Sequence, residues 1–215
     1  MFKTDNFIHI NKGALSKKDC DDIIEFFEDN SFYHEIGGVI HQDEQTPNAI
    51  VEGMKKSTDL VLQSVELNKD FWMPFSLAMK ETHGQYLNKY PFLWGCRQWN
   101  IAHTFRIQRY LPNEGFFALH AEHTGAFDGV VERRLAAWMV YLNDVTDGGG
   151  TDFPTLDYKM EARVGDFSIW PAYWTHPHRG IISPTETKYI MTGWLSYMEW
   201  PLQNCNLCYN KIIIN

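Results

Sequence analysis

The sequence predicts an α+β domain in which helices support an antiparallel β sandwich or barrel. Apolar positions recur at helical spacing through the first half, and from residue 99 onward the period switches to two. Size and composition agree with this. At 215 residues the chain can bury about 70% of its unfolded surface without disulfide or metal staples. Its 44% hydrophobic and 15% aromatic content excludes disorder, collagen-like repeats and coiled coil.

Ser16 reads as a helix N-cap with Asp19 three residues on, short of the Glu or Gln that a full capping box favours. Cys20, Ile23, Ile24 and Phe27 then form one apolar stripe and predict a first helix. Residues 30–56, with Gly37, Gly38 and Pro47, read as a long mobile connection able to fold over a substrate. A second helix is expected over 71–89, with Phe71, Phe75, Met79, Thr82 and Tyr86 on one side and Pro74 tolerated in the first turn. Strands are expected at 103–111, 116–122, 134–145, 164–171, 175–182 and 187–198, broken by Gly148-Gly149-Gly150 and by the regions of Asp166 and Pro184. No repeat or linker-like shift divides the chain. Residues 1–98 are therefore expected as helical support and loop, 99–198 as the core and 199–215 as a tail, all in one domain.

The net charge of -8, from 19 basic and 27 acidic residues, argues against general nucleic-acid binding. No apolar run reaches the roughly 20 residues of a membrane span, and MFKTDNFIHI does not read as a signal peptide. A cytoplasmic setting is the expectation. Cys20 and Cys96 read as buried thiols, and Cys205 and Cys208 as a lone CxxC without the context of a zinc or redox site. Nine histidines against four cysteines favour nitrogen and oxygen ligands for any metal.

His120-Ala121-Glu122 is the first candidate constellation. On a strand, residues i and i+2 share a face, so imidazole and carboxylate can converge on one ion. His41-Gln42-Asp43 has the same spacing but lies in the polar stretch HQDEQTPN, and it reads as a solvated loop. The Glu122 copy is flanked instead by the apolar run Phe116-Phe117-Ala118-Leu119. A third ligand is offered by His176 or His178, which share strand parity. Two histidines and one carboxylate are the donor set of a non-haem iron site with open positions, although zinc accepts the same ligand types. Lys188 opens the next strand, with Ile190, Thr192 and Trp194 on its face. A lysine aimed into a barrel mouth is costly unless it meets an anion, such as a dicarboxylate.

Arg109-Tyr110, the HxE triplet, Tyr141-Leu142-Asn143-Asp144, Gly148 to Phe153, Gly165-Asp166, His178-Arg179-Gly180 and Lys188 follow one another over about 85 residues. In that order they resemble the catalytic core of iron(II)- and 2-oxoglutarate-dependent dioxygenases, and within these the prolyl 4-hydroxylase group. The resemblance implies a double-stranded β-helix, a jelly-roll or cupin-like barrel with N-terminal supporting helices. It implies His120, Glu122 and His178 as iron ligands, preferred over His176 and His123. Lys188 would pair with the distal carboxylate of 2-oxoglutarate. Tyr110 and Tyr141 would hydrogen-bond the co-substrate, and Thr192 and Trp194 would line its pocket. Trp138, Phe153, Phe167, Trp170, Tyr173 and Trp174 supply aromatic surroundings suited to a dry pocket. Glu122 departs from the group, which usually has Asp there.

The implied reaction is hydroxylation of an unactivated C–H bond, at C4 of peptidyl proline as in the procollagen-type enzymes. It consumes O2 and 2-oxoglutarate, releases succinate and CO2, and takes ascorbate as a candidate reductant. The expected partner is a proline-containing peptide or protein, with no nucleic acid and no membrane. Another protein residue or a small molecule is the alternative substrate. A non-oxidative cupin-like barrel is the alternative class; residues 165–176 partly match a second cupin motif, but the first is missing and such a barrel has no use for Lys188.

Overall fold

Alternating burial along the strands gives the molecule two apolar layers on either side of one sheet. The computed structural model describes residues 5–38, 40–41, 49–50, 53–96, 98–123 and 133–198. In chain order it contains β1 (His9–Asn11), α1 (Lys17–Asp29), β2 (Glu35–Gly37), β3 (Ile40–His41), β4 (Ala49–Ile50), β5 (Lys55–Gln63), α2 (Met73–Lys89) and β6 (Trp99–Tyr110). There follow β7 (Gly115–Phe116), β8 (Arg134–Tyr141), β9 (Thr151–Phe153), β10 (Tyr158–Met160), β11 (Phe167–Pro171), β12 (Arg179–Gly180) and β13 (Lys188–Tyr197).

The main sheet has eight strands in the order β1-β11-β8-β13-β6-β5-β2, with β7 added against β5, and every pairing is antiparallel. A smaller sheet, β10-β9-β12, continues through a single bridge between His120 and His178. Arg179 pins β12 to β9 by donating from Nε to Asp152 Oδ2 at 3.1 Å. Between the sheets lies an inner cluster with Tyr110, Met139, Tyr141 and Ile190 from one side and Phe153 and Met160 from the other. On the opposite face of the main sheet, α1 and α2 bury Phe27, Phe75 and Met79 against Phe105, Trp138 and Phe167. This is the double-stranded β-helix with supporting helices. Gly193 makes the layers close, since a Cβ there would stand 2.6 Å from the Trp138 ring. Among the described residues no helix is long and apolar enough to cross a membrane.

Several expectations change in detail. The Ser16 capping box is complete: Ser16 Oγ accepts from the Asp19 N–H at 3.1 Å, and Asp19 Oδ2 accepts from the Ser16 N–H. Asp19 reaches back as Glu would. The second helix starts at Met73, leaving Phe71 before it and 44% exposed. The first half is not only helical, because β5 is a nine-residue strand of the main sheet. Its buried inward positions are Lys55, Ser57 and Asp59, so a hydrophobic period could not reveal it. The expected strands at 116–122 and 175–182 shrink to β7, β12 and the histidine bridge.

Part of the 30–56 connection forms β2 and the β3–β4 hairpin. His41 lies in β3, while Gln42 and Asp43 fall outside the described residues. So do Cys205 and Cys208 with the rest of 199–215. Cys20 is buried as expected, but Cys96 is only partly covered. The aromatic set divides. Trp138 and Phe167 belong to the helix side, Phe153 and Trp170 to the barrel interior, and Trp174 is 80% exposed.

Candidate metal centre

His120 and His178 face each other across their bridge, and Glu122 follows in the bend just beyond it. One ligand atom from each of the three lies within 4.8 Å of the others. The bridge is held by two backbone bonds, His120 N to His178 O at 3.0 Å and His178 N to His120 O at 2.8 Å. Phe116 stacks on the His120 ring with centroids 3.6 Å apart, and Phe153 and Trp170 enclose the His178 ring.

Tautomers follow from the partners. His120 Nδ1 lies 3.0 Å from Ala118 O, and His178 Nδ1 lies 3.0 Å from His176 O. A carbonyl only accepts, so both Nδ1 atoms donate, and each neutral ring presents its Nε2 lone pair inward. Those Nε2 atoms stand 3.6 and 3.4 Å from Glu122 Oε1, beyond ordinary N–H···O length. Without an ion the rings can instead carry Nε2–H toward Glu122; burial acts to raise its carboxyl, but imidazoles protonated in that way hold it well below the usual carboxylate range. Two inward lone pairs and an ionised carboxylate fit a divalent ion of the non-haem iron type.

Lys188 pairs in register with Tyr110, so its side chain enters the space between the sheets. It is 6% exposed, and its Nζ sits 4.7 Å from the Tyr110 ring centroid. A Cβ built on Gly180, two residues from His178, would lie 3.6 Å from that Nζ. Among the described residues no carboxylate pairs with it, and burial alone lowers its pKa to about 8.

The remaining candidates are arranged differently from one another. Tyr141 shares a 2.8 Å hydrogen bond with Thr151 Oγ1. Tyr110 donates its hydroxyl proton to Gln108 Oε1 at 2.9 Å. Thr192 Oγ1 donates to the Trp138 carbonyl at 2.9 Å, which commits its proton to the sheet. Trp194 donates from Nε1 to Glu122 Oε2 at 2.7 Å, so it serves the carboxylate directly. His176 stands outside the cluster. Its Nε2 donates to Asn6 O at 2.8 Å and its Nδ1 takes the Thr175 hydroxyl, which satisfies both nitrogens. His123 stacks on Tyr173 and is likewise not in the cluster.

Sequence reasoning missed a polar network beside the site. Lys55 Nζ donates to Asp59 Oδ2 at 2.7 Å, Ser57 Oγ donates to Asp59 Oδ1 at 2.6 Å, and Gln108 Nε2 donates to Asp59 Oδ2 at 2.7 Å. Gln108 passes the chain to Tyr110 and so to the wall under Lys188. Gly37 closes this network from β2, because a Cβ there would meet Ser57 Oγ at 2.0 Å. The alternation of Lys55, Ser57 and Asp59 was the available signal. Arg134 was also missed.

Residues 105–196, which carry the triad and Lys188, match the family model of the 2OG-Fe(II) oxygenase superfamily. Over this segment the chain is similar to the 2-oxoglutarate/iron(II) oxygenases, a class whose chemistry uses iron(II), 2-oxoglutarate and dioxygen. Its relatives are of the prolyl 4-hydroxylase kind. A protein of Acanthamoeba polyphaga mimivirus named "Putative prolyl 4-hydroxylase" is 27% identical over 117 residues, covering 46% of this chain and 48% of that protein. The chain thus spans about half the length of the curated relative it matches.

Among solved structures, the viral collagen prolyl hydroxylase of Paramecium bursaria Chlorella virus-1, in its 2OG complex, superposes with a TM-score of 0.65 at 19% identity. That match covers 89% of this chain and 97% of the viral one. A Pseudomonas putida prolyl-4-hydroxylase gives a TM-score of 0.63 at 14% identity over 89% and 93% of the two chains. A Trichoplax adhaerens prolyl hydroxylase in complex with a hypoxia inducible factor peptide gives 0.66 at 12% over 89% and 84%. At these identities the likeness is one of fold.

Proposed function

We propose that the protein hydroxylates an unactivated C–H bond of a peptide or protein, at C4 of a prolyl residue, while converting 2-oxoglutarate and O2 to succinate and CO2. The observation that carries this reading is Lys188, a buried ammonium that no carboxylate pairs among the described residues and that reaches Gly180, two residues from His178. A cation in that position carries a desolvation cost that an incoming anion offsets. A dicarboxylate short enough to reach both Lys188 and the cluster meets the requirement.

His120, Glu122 and His178 would hold iron(II), which supplies the oxidising chemistry when bound. Lys188 would bind the distal carboxylate, with the Tyr110 ring beneath its Nζ limiting where that carboxylate can sit. Tyr141 and Thr151 offer hydroxyls that can be shared with the co-substrate. Met139, Phe153, Trp170 and Ile190 keep water from the interior, where a reactive oxidant must meet only its substrate. The peptide substrate and the proline position are supported by the relatives' names and by the peptide-bound Trichoplax neighbour. Ascorbate is proposed as the external reductant on the same resemblance.

Anaerobic titration with iron(II) and then 2-oxoglutarate should produce a metal-to-ligand charge-transfer band in the visible. Lys188→Ala should raise the 2-oxoglutarate requirement about tenfold or more, the value of a charge-assisted hydrogen bond, with iron affinity unchanged. No band in folded protein would sink the oxygenase chemistry. Proline-containing peptides should give succinate in step with hydroxylated product by mass spectrometry. Product oxidised at another residue, or succinate without it, would reject the proline assignment.

A further inference from the structure

Glu122 is gripped on both carboxylate oxygens. Oε1 faces the two imidazoles, whereas Oε2 accepts the Trp194 Nε1–H at 2.7 Å. Trp194 is fixed by its pairing with Ala137 in β8. The Arg134 guanidinium lies over its indole, 3.6 Å from the ring centroid. Arg134 Nη1 in turn donates to the Glu122 backbone carbonyl at 3.0 Å. It stands 3.8 Å from Oε2, too far to donate there, so the indole is the donor. Glu122, Trp194 and Arg134 form a closed ring of contacts that draws on β8, β13 and the bend after the histidine bridge.

The geometry answers a problem that glutamate creates. Glu122 lies outside the strands, so no ladder fixes its direction. It has one more rotatable bond than aspartate, and its terminal torsion is broad. A carboxylate free to turn can offer both oxygens to one ion and occupy a position that the co-substrate or dioxygen needs.

We infer that the Trp194–Arg134 pair is a positioning device that keeps Glu122 a one-oxygen ligand and so preserves the open positions of the metal. This deepens the proposed function and rests on its reading of the triad as a metal site. Indole suits the task because it donates one hydrogen bond and offers no lone pair to the metal. Its bond to an ionised oxygen is charge-assisted, and the guanidinium on its face holds the ring in place.

Cobalt(II) is the probe, with affinity read by calorimetry and coordination read from its visible absorption. Trp194→Phe keeps a ring under Arg134 and removes only the N–H. Cobalt(II) affinity should fall about 10- to 100-fold, the usual effect of losing an outer contact to a ligand. The absorption should also weaken and shift as a second oxygen joins the ion. Circular dichroism should not change. Glu122→Asp draws the carboxylate out of reach of the indole, so adding Trp194→Phe to it should cost nothing further, and the double-mutant cycle isolates the contact.

In the wild-type protein, the indole ¹⁵N–H resonance of Trp194 should lie downfield and persist when cobalt(II) is replaced by diamagnetic zinc(II). An unshifted resonance would overturn the inference even if the variants do not fold. Wild-type affinity and spectrum in Trp194→Phe, or an equal loss in both backgrounds, would also overturn it. Wild-type protein that binds neither cobalt(II) nor iron(II) would overturn the metal reading itself.

Discussion

The main sheet carries two unlike faces on the same strands. Outward from β6, β8 and β11 point Phe105, Ile107, Trp138, Val140 and Phe167, all 0% exposed and packed under the helices. One residue along on β6, β8 and β13, the inner face carries Arg106, Gln108, Tyr110, Tyr141, Lys188 and Trp194. The outer face gains stability from apolar area removed from water. The inner face buries groups whose desolvation opposes folding and whose value is chemical. Two-residue periodicity lets the two tasks be assigned separately along every strand.

If that separation holds, damage to the outer face should lower stability and leave the site intact. Phe75 in α2 is 1% exposed and touches Phe105, Trp138 and Phe167. Phe75→Ala should cost about 4 kcal/mol in denaturant unfolding, the usual range for an aromatic core truncation. Metal and 2-oxoglutarate dissociation constants of the remaining folded protein should stay within about twofold. A large change in either constant would show that the helix layer also tunes the site.

Asp59 tests the separation from the other side, because it is an inner residue that should matter for stability. It is the acceptor for Lys55, Ser57 and Gln108, and Lys55 is 8% exposed. Asp59→Ala would leave the Lys55 ammonium buried and unpaired, at a cost of about 3 kcal/mol. Lys55→Met combined with Asp59→Leu should recover most of that, since a buried pair is often neutral against apolar groups of similar size. If the single variant unfolds at the wild-type denaturant midpoint, the network is decoration and Tyr110 needs no support.

The same two faces explain what the sequence could reveal. The helix stripe of Cys20, Ile23 and Phe27 and the outward aromatics follow simple periods, so the layers were legible. That His120, Glu122 and His178 could come together was legible because their residue types are distinctive and their order resembles a known core. β5 was not, since its inward residues are polar and a hydrophobic pattern treats them as exposed. β7 and β12 have two residues each, too few for alternation to register. His176 and His178 have equal parity, and what separates them is a carbonyl 170 residues away at Asn6. The Trp194–Glu122 bond spans 72 positions, and no local spacing announces it.

Lys188 sets the smallest of the expected effects and the one that joins both faces of the comparison. Its pKa falls from 10.5 to about 8 through burial alone. At about 1.4 kcal/mol per unit, keeping the charge at pH 7 costs the free protein about 3 kcal/mol. Lys188→Met keeps the packed stem and removes the charge, so the variant should be about 2–3 kcal/mol more stable than wild type at pH 7. The folded-state pKa lies below the unfolded one, so the penalty is complete below about pH 8 and disappears as pH rises from there towards 10.5. Parallel thermal melts should therefore converge over that window. With both proteins already loaded with metal, adding 2-oxoglutarate at one fixed concentration should stabilise the wild type at pH 7 more than the variant, because only the lysine gains an anion. The co-substrate affinity of the wild type should weaken above about pH 8, as the ammonium loses its proton. A stability gap that persists unchanged to pH 10.5 would mean that Lys188 is not the group held out of water for an incoming carboxylate. The inner face would then have to find its anion-binding charge elsewhere, with Lys55 and Arg106 the next cations along the same surface.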